Sequence, residues 1–442
     1  MRIENGEWMK RVYQHASACA GTVVLWLFAA AAEAQNRFPK PDFESGYQYP
    51  ATHFRIPDER WWTGVDLLLL TLLMSLVAWA VLRKRTRRPV FWVSVVSVAY
   101  FGFFRNGCVC SIGAIQNVSL ALVDTSYVLP PAILLFFILP VIFTLLFGRV
   151  FCGGVCPFGA LQDLVHIRSG QLPRAWATVL GVIPWMYLFF SILFAVTHSR
   201  FLLCRYDPFI GIFRLGGDIG ILTFGVLLLL AAVFTGRPFC RFLCPYGALL
   251  SLFARVSVWR MRIVPVCINC DLCRQACPVD AIRPPYENRV RESRMAGVKR
   301  ILTYVTVLPL LSLTGALILH LMSETLSHAH KDIRLYDLVM RNEQQPQTPP
   351  LPEVEAFYGH GGTVSELTGR TEKIRREFDL ASTLAGACMG LAVGLTLISL
   401  SVKRTRKTYE IDDTACVNCG KCFSYCPQNR RLPDLNTRTP DT

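Results

Sequence analysis

The sequence predicts an all-α polytopic membrane protein with about seven membrane-spanning helices. Two observations carry that class. Of 442 residues, 52% are hydrophobic and only 17% are charged. Long apolar runs account for the excess and lift the mean hydropathy to +0.36. These values exclude a soluble enzyme, a disordered tail protein and a fibrous repeat. The net charge of +15 does not point to nucleic acid, because basic residues flanking apolar runs serve as topology signals.

The elements follow in chain order. Residues 1–34 carry Arg2, Lys10 and Arg11, an apolar core from Ala16 to Ala32, and Ala32-Glu33-Ala34, which together predict a secretory signal peptide cleaved after Ala34. Residues 35–63 form a polar segment rich in proline and aromatic residues (Pro39, Pro41, Pro50, Pro57; Phe38, Tyr47), expected to be extended and exported. Apolar segments then lie near 64–82, 90–104, 128–147, 174–197, 218–235, 300–320 and 381–402, the second being short for a span. Residues 64–260 thus form a membrane domain, and 300–402 hold two further spans around an exported loop, 321–380.

Basic residues test this alternation. Arg83 to Arg88, the stretch Arg237 to Arg300, and Lys403 to Lys407 fall in loops expected inside, whereas 321–380 has ten acidic and seven basic residues. Charge and hydropathy agree on an N-terminus outside and a C-terminus inside a bacterial inner membrane.

Seventeen cysteines are grouped in short clusters, a pattern of metal coordination rather than of a disulfide framework. Cys267-x2-Cys270-x2-Cys273-x3-Cys277-Pro278 recurs as Cys416-x2-Cys419-x2-Cys422-x3-Cys426-Pro427. This is the bacterial ferredoxin spacing, in which three thiolates hold one [4Fe–4S] cube and the fourth ligates the other. Two runs imply two clusters and a 2[4Fe–4S] ferredoxin module split between 261–299 and 403–442, on the cytoplasmic side, where thiols stay reduced. Structural zinc is the alternative for four thiolates, and the terminal C-x3-C-P argues against it. If the runs pair, Cys267, Cys270, Cys273 and Cys426 form one site, and Cys416, Cys419, Cys422 and Cys277 the other.

A second pair of motifs runs from Gly148 to Leu161 and from Gly236 to Leu249, with ten of fourteen matched positions identical or aromatic for aromatic. They bring Cys152 and Cys156, and Cys240 and Cys244, to the inner ends of spans. On a helix, C-x3-C places both thiols on one face, and the following proline disturbs the helix. Four convergent thiols suit a further redox or metal centre; buried packing cysteines are the competing explanation. The duplication continues on the opposite face, with Cys108 and Cys110 before the first unit and Cys204 before the second. A disulfide there competes with a metal or cofactor site. Cys388 reads as a packing residue, Cys19 as part of the signal peptide, and His198, His320, His328 and His330 as loop or span-end histidines. No covalent-haem motif, G-x-G-x-x-G or P-loop is present, and Gly361-Gly362-Thr363 does not make a flavin-attachment motif.

Two F-C-x3-C-P-[FY]-G-A-L units among membrane spans, with two ferredoxin runs, resemble the polyferredoxins of the NosR/NirI family. Gly107-Cys-Val-Cys-Ser-Ile-Gly-Ala-Ile-Gln116 and Cys204-Arg-Tyr-Asp-Pro-Phe209 resemble that family more than its NapH-like and CcoG-like relatives, and the likeness covers roughly 60 to 430. The resemblance implies electron delivery across the membrane to an exported nitrous oxide reductase, or help with its assembly. Better-known members carry a large exported domain with covalent FMN before the first span, where this sequence has the short segment 36–62. It follows that a separate FMN-binding protein supplies that part or that another acceptor is served. The electron donor is unassigned. Copper-site assembly and redox sensing are the competing function classes.

Overall fold

The computed structural model describes residues 60–107, 111–167, 170, 173–199, 201–263, 267–286, 294–345, 351–359, 361–401 and 405–429. The signal peptide, the segment before Arg60, and Cys108 and Cys110 lie outside the described residues.

Each of the seven apolar segments is helical. Four of the resulting helices, Trp61–Arg83, Trp176–Val196, Gly297–Leu321 and Val364–Ser399, are long and apolar enough to cross a membrane. The other three, Arg88–Phe104, Pro131–Phe147 and Ile219–Thr235, are shorter apolar helices. Seventeen residues make a helix of roughly 25 Å, just under a hydrocarbon core of about 30 Å. Their ends are set by sequence. Pro131 opens one helix at its first turn and Gly148 closes it at φ 75°; Asp218 caps the other by accepting from Gly220 N–H, and Gly236 closes it at φ 61°.

The stretch expected as a loop, 321–380, is helical instead. Among its described residues it forms Ser323–Ser327, Lys331–Gln344 and Pro352–Gly359, and its last part, from Val364, belongs to the 38-residue helix Val364–Ser401. Hydropathy finds only the apolar half of that last helix, because Arg370, Lys373, Arg375 and Arg376 hide the first half.

That helix packs along Arg294–Leu321 through a glycine seam, Gly386-x3-Gly390-x3-Gly394. Any Cβ at Gly386 would stand 2.2 Å from the Gly315 carbonyl oxygen, and one at Gly390 2.1 Å from that of Leu311. Only glycine allows the two backbones to approach so closely. The consequence is topological. The pair leaves the body after the first ferredoxin run and returns the second run beside it.

The runs then join through two short antiparallel strands, Ile282–Arg283 and Glu410–Ile411, with Ile282 opposite Ile411. Arg283 bonds Asp412 (2.8 Å), and Tyr409 hydroxyl donates to Asp271 (2.7 Å) across the same joint. The joined ferredoxin half sits on the helix ends around Gly148 and Gly236. Asn418 donates to the Phe147 carbonyl (2.7 Å), and a Cβ on Gly153 would meet the Val417 carbonyl at 2.8 Å. One hydrophobic core runs through both halves, containing Cys152, Cys156, Cys244 and Cys419.

Candidate metal centres

The two ferredoxin runs share one local geometry. Asn269 and Asp271 in the first, and Asn418 and Gly420 in the second, hold φ between 51° and 71°. Residues in this left-handed region curl the chain, so that thiols two residues apart turn toward a common point. Cys267 and Cys416 make matched contacts to Asn269 Oδ1 (3.6 Å) and Asn418 Oδ1 (3.5 Å).

The thiols sort crosswise between the runs. The neighbours acting on Cys273 are Cys267, Cys426 and Cys270, and all four line one cavity with Ile263, Ile268 and Phe423. This is the first set. Cys422 has Cys416, Cys419 and Cys277 as its neighbours, followed by Cys273 of the first set, so the second set adjoins the first. Burial pushes Cys273 and Cys277 up to about 11, and the nearby thiols push them further the same way. At neutral pH such thiols stay protonated unless a metal takes their charge, and binding then releases protons. Ala281 N–H donates to Cys277 Sγ (3.3 Å), a donor suited to a sulfur carrying negative charge.

A third set is formed by the repeat. Cys156 has Cys240, Cys152 and Cys244 as electrostatic neighbours, and Cys152, Cys156 and Cys244 are buried. The C-x3-C units do not lie on continuous helices as expected. Cys152 sits in a five-residue π-turn, Phe151–Val155, and Cys240 in a five-residue helix, Pro238–Phe242. Each turn ends before the second cysteine, and a new helix starts at Pro157 or Pro245 with Cys156 or Cys244 as its N-cap. Proline is at home in the first turn because its missing N–H is not needed there. The second cysteine of each unit therefore meets the N–H groups of a helix start. Gly247 N–H donates to Cys244 Sγ (3.2 Å) and Gln162 Nε2 to Cys240 Sγ (3.6 Å). A Cβ at Gly159 would stand 3.4 Å from Cys240 Sγ and 3.3 Å from the Cys152 carbonyl, which leaves little room for a side chain.

Between the second and third sets lies a polar cluster that sequence reasoning missed. Asp163, 2% exposed, pairs with Arg87, with Arg237 (3.2 Å) and with Lys421 (3.3 Å). Arg87 also donates to the Cys419 carbonyl (2.9 Å). Lys421 Nζ meets His166 Nδ1 at 2.7 Å. Burial, followed by the charge of Lys421, holds His166 down to about 4, so the ring is neutral and can accept from the ammonium. The available signal was an acidic difference between the copies, Asp163 against Ser251 at the matched position. Arg87 was read only as a topology signal.

At the other end of the helices, Cys204 is a free, exposed thiol. Tyr187 lies within electrostatic reach of Asp207, Cys204 and Cys244. Tyr246 has Cys152, Cys244, Cys156 and Ser111 as neighbours. The histidines have structural partners: His198 with Asp124 (3.5 Å), His328 with Asp337 (2.9 Å), His320 with Thr383 (3.1 Å), and His330 accepting from Asp332 N–H (3.1 Å). Among the described residues, no three His, Cys, Asp or Glu side chains close on a single ion. Thiolates around one zinc would stand about 3.8 Å apart, given Zn–S bonds of about 2.3 Å.

Apolar helices and grouped thiols define the class, a helical membrane protein of the iron–sulfur type. The 4Fe–4S binding domain family matches residues 129–174 and 218–264, the two copies of the repeat. The regulatory protein NosR of Pseudomonas aeruginosa is 34% identical over 156 residues, covering 32% of this chain and 22% of NosR. Protein NirI of Paracoccus denitrificans is 29% identical over 222 residues, 45% of this chain and 32% of NirI. An uncharacterized protein of Methanocaldococcus jannaschii is 28% identical over 189 residues, 41% of this chain and 77% of that protein. The chain resembles the NosR/NirI-type polyferredoxins, and it spans about a third or less of the length of those two relatives. No solved structure matches it.

Proposed function

We propose that this protein passes electrons across the bacterial inner membrane through three iron–sulfur centres, two in the ferredoxin half and one in the repeat. The observation that carries this reading is the row of thiol sets. The first adjoins the second through Cys273 and Cys422, and the second and third share one packed core. A [4Fe–4S] centre at each set supplies one-electron transfer. Cys267, Cys270, Cys273 and Cys426 hold the first, Cys277, Cys416, Cys419 and Cys422 the second, and Cys152, Cys156, Cys240 and Cys244 the third. The N–H groups of Ala281 and Gly247 orient the sulfurs, and Phe158, Phe209 and Phe239 exclude water beside the repeat. Each electron leaves a cytoplasmic or quinol donor, which is oxidised, and reduces an exported flavoprotein or copper enzyme such as nitrous oxide reductase, or serves its maturation. A sensor that used its helices only as an anchor would need no thiols at the third set.

Anaerobically purified protein should contain about twelve irons with matching acid-labile sulfide, about eight of them in the ferredoxin pair. The crosswise sorting is tested by exchange. Cys426→Ser and Cys270→Ser should remove the same EPR signal, and Cys277→Ser a different one that Cys419→Ser also removes. Stoichiometric zinc with little sulfide would overturn the assignment. For orientation, a reporter active only when exported should stay silent if fused after Arg431 and be active if fused within 346–350. A signal at the first position would place the ferredoxin half outside.

A further inference from the structure

Gly148-Arg149 and Gly236-Arg237 open the two copies of the repeat, and each arginine crosses to the other copy. Arg149 Nη2 lies 3.0 Å from the Cβ position of Gly247, and Arg237 donates to the carbonyls of Cys152 and Gly153, the latter at 2.8 Å. Both also reach the ferredoxin half. Arg149 Nη1 donates to the Thr414 carbonyl (2.9 Å), two residues before Cys416. Arg237 shares Asp163 with Arg87, which holds the Cys419 carbonyl. Arg149 acts on Cys240, Cys244 and Cys416, and Arg237 on Cys240 and Cys419. Each arginine therefore stands between a thiol of the third set and a thiol of the second.

The charge balance around them is uneven. Arg87, Arg149, Arg237 and Lys421 are mostly or wholly withdrawn from solvent, and Asp163 is the carboxylate that Arg87, Arg237 and Lys421 share; among the described residues no carboxylate lies within ion-pair distance of Arg149. Cations left uncompensated in a dry core cost several kcal/mol each. Neutral thiols or a disulfide would supply no balancing charge. Metal centres held by four thiolates would, because the thiolates outweigh the core, and reduction makes them more negative still.

We propose that Arg149 and Arg237 are shared counter-cations of two adjacent thiolate-held centres, one at the second set and one at the third, and that they set both reduction potentials together. The inference rests on the three-centre reading above. A cation in a low-dielectric site favours the more negative, reduced form, so it raises the potential of each centre it faces. The first set is the more open one, with Cys270 exposed.

Arg149 is the residue to change, because Arg237 is also tied to Asp163. EPR-monitored redox titration of the purified full chain compares wild type, Arg149→Gln and Arg149→Lys, with iron and sulfide measured on the same samples. In Arg149→Gln the signals of the second and third sets should shift downward, with a reduced-to-oxidised ratio about tenfold lower at fixed poise, or about 59 mV for a one-electron couple. The signal removed by Cys270→Ser should not move, and Arg149→Lys should recover most of the shift. Wild-type midpoints in Arg149→Gln, an equal shift of all three signals, or iron lost alike from both variants would overturn the proposal. Wild-type protein with iron in only the two ferredoxin sets would defeat the three-centre reading itself before any variant is titrated.

Discussion

Asp163→Asn is expected to destabilise the protein by about 3–5 kcal/mol, the range for removing one partner of a buried ion pair. The carboxylate is 2% exposed and serves Arg87, Arg237 and Lys421 together. Burial opposes its charge, while Arg237, Arg87 and Lys421 hold its carboxyl well below the usual carboxylate range. An amide keeps the volume and one acceptor but leaves three cations without their common anion. Those cations belong to three separate parts of the chain: the loop before the second helix, the second copy of the repeat, and the second ferredoxin run. The loss should therefore show as separation of the ferredoxin half from the helices. Iron should be lost, and the protein should accumulate poorly in membranes. Ser251→Asn is the matched control, because Ser251 only returns a bond to the Ala248 carbonyl (2.6 Å); its effect should stay within about 1 kcal/mol. Equal melting temperatures for the Asp163 and Ser251 variants in detergent would show that the cluster contributes no net stability.

This asymmetry explains why two nearly identical motifs do not behave identically. Arg149 and Arg237 are equivalent in sequence, yet the second has Asp163 beside it and the first has the Thr414 carbonyl. Docking one ferredoxin half onto a two-fold repeat requires such a difference, because only one copy can face Lys421 and Cys419. The shared carboxylate selects the orientation, and Asn418 donating to Phe147 fixes the register.

Much of the architecture was legible because its signals are local. Apolar runs mark the helices, and the cysteine spacings mark the sets; even the crosswise sorting of Cys277 and Cys426 follows from ferredoxin spacing once the runs meet. The glycine seam that brings them together was not read, since Gly386, Gly390 and Gly394 look like ordinary small residues in an apolar span. The helical form of 321–380 was hidden for the opposite reason, because its charge resembles that of a solvated loop. The proline of each C-x3-C unit signals a disturbed helix, but not that the break falls before the second cysteine, where Pro157 and Pro245 start helices of their own. The Asp163 cluster depends on contacts between residues more than 70 positions apart, for which one sequence offers no sign beyond an aspartate where its copy has serine.

Replacing Cys152 and Cys244 by Ser should stop electron transfer across the membrane while leaving the ferredoxin EPR signals in place. The ferredoxin half alone cannot span the distance, because the hydrocarbon core is about 30 Å thick and Asn418 contacts only the end of the helix Pro131–Phe147. The repeat reaches further. Tyr246, whose ring lies near three thiols of the third set, donates to the Phe137 carbonyl (2.7 Å). That carbonyl is ten residues from Phe147, or roughly 15 Å along the helix. Ser111, which directly follows Cys110, donates to the neighbouring Phe136 carbonyl (2.9 Å). On the proposed reading, thiols and Tyr246 extend a route from the ferredoxin end to beyond the middle of the helix, on the side toward Cys204. Removing two ligands of the third set interrupts this route at its centre without touching the first or second set. In oriented vesicles with a reductant on the ferredoxin side, the double variant should reduce an impermeant acceptor at no more than the rate of protein-free vesicles. Tyr246→Phe, which keeps the ring and loses only the hydroxyl, should retain measurable transfer. Wild-type rates in the Cys152/Cys244 variant would make the repeat a packing device, and the electrons would have to cross elsewhere.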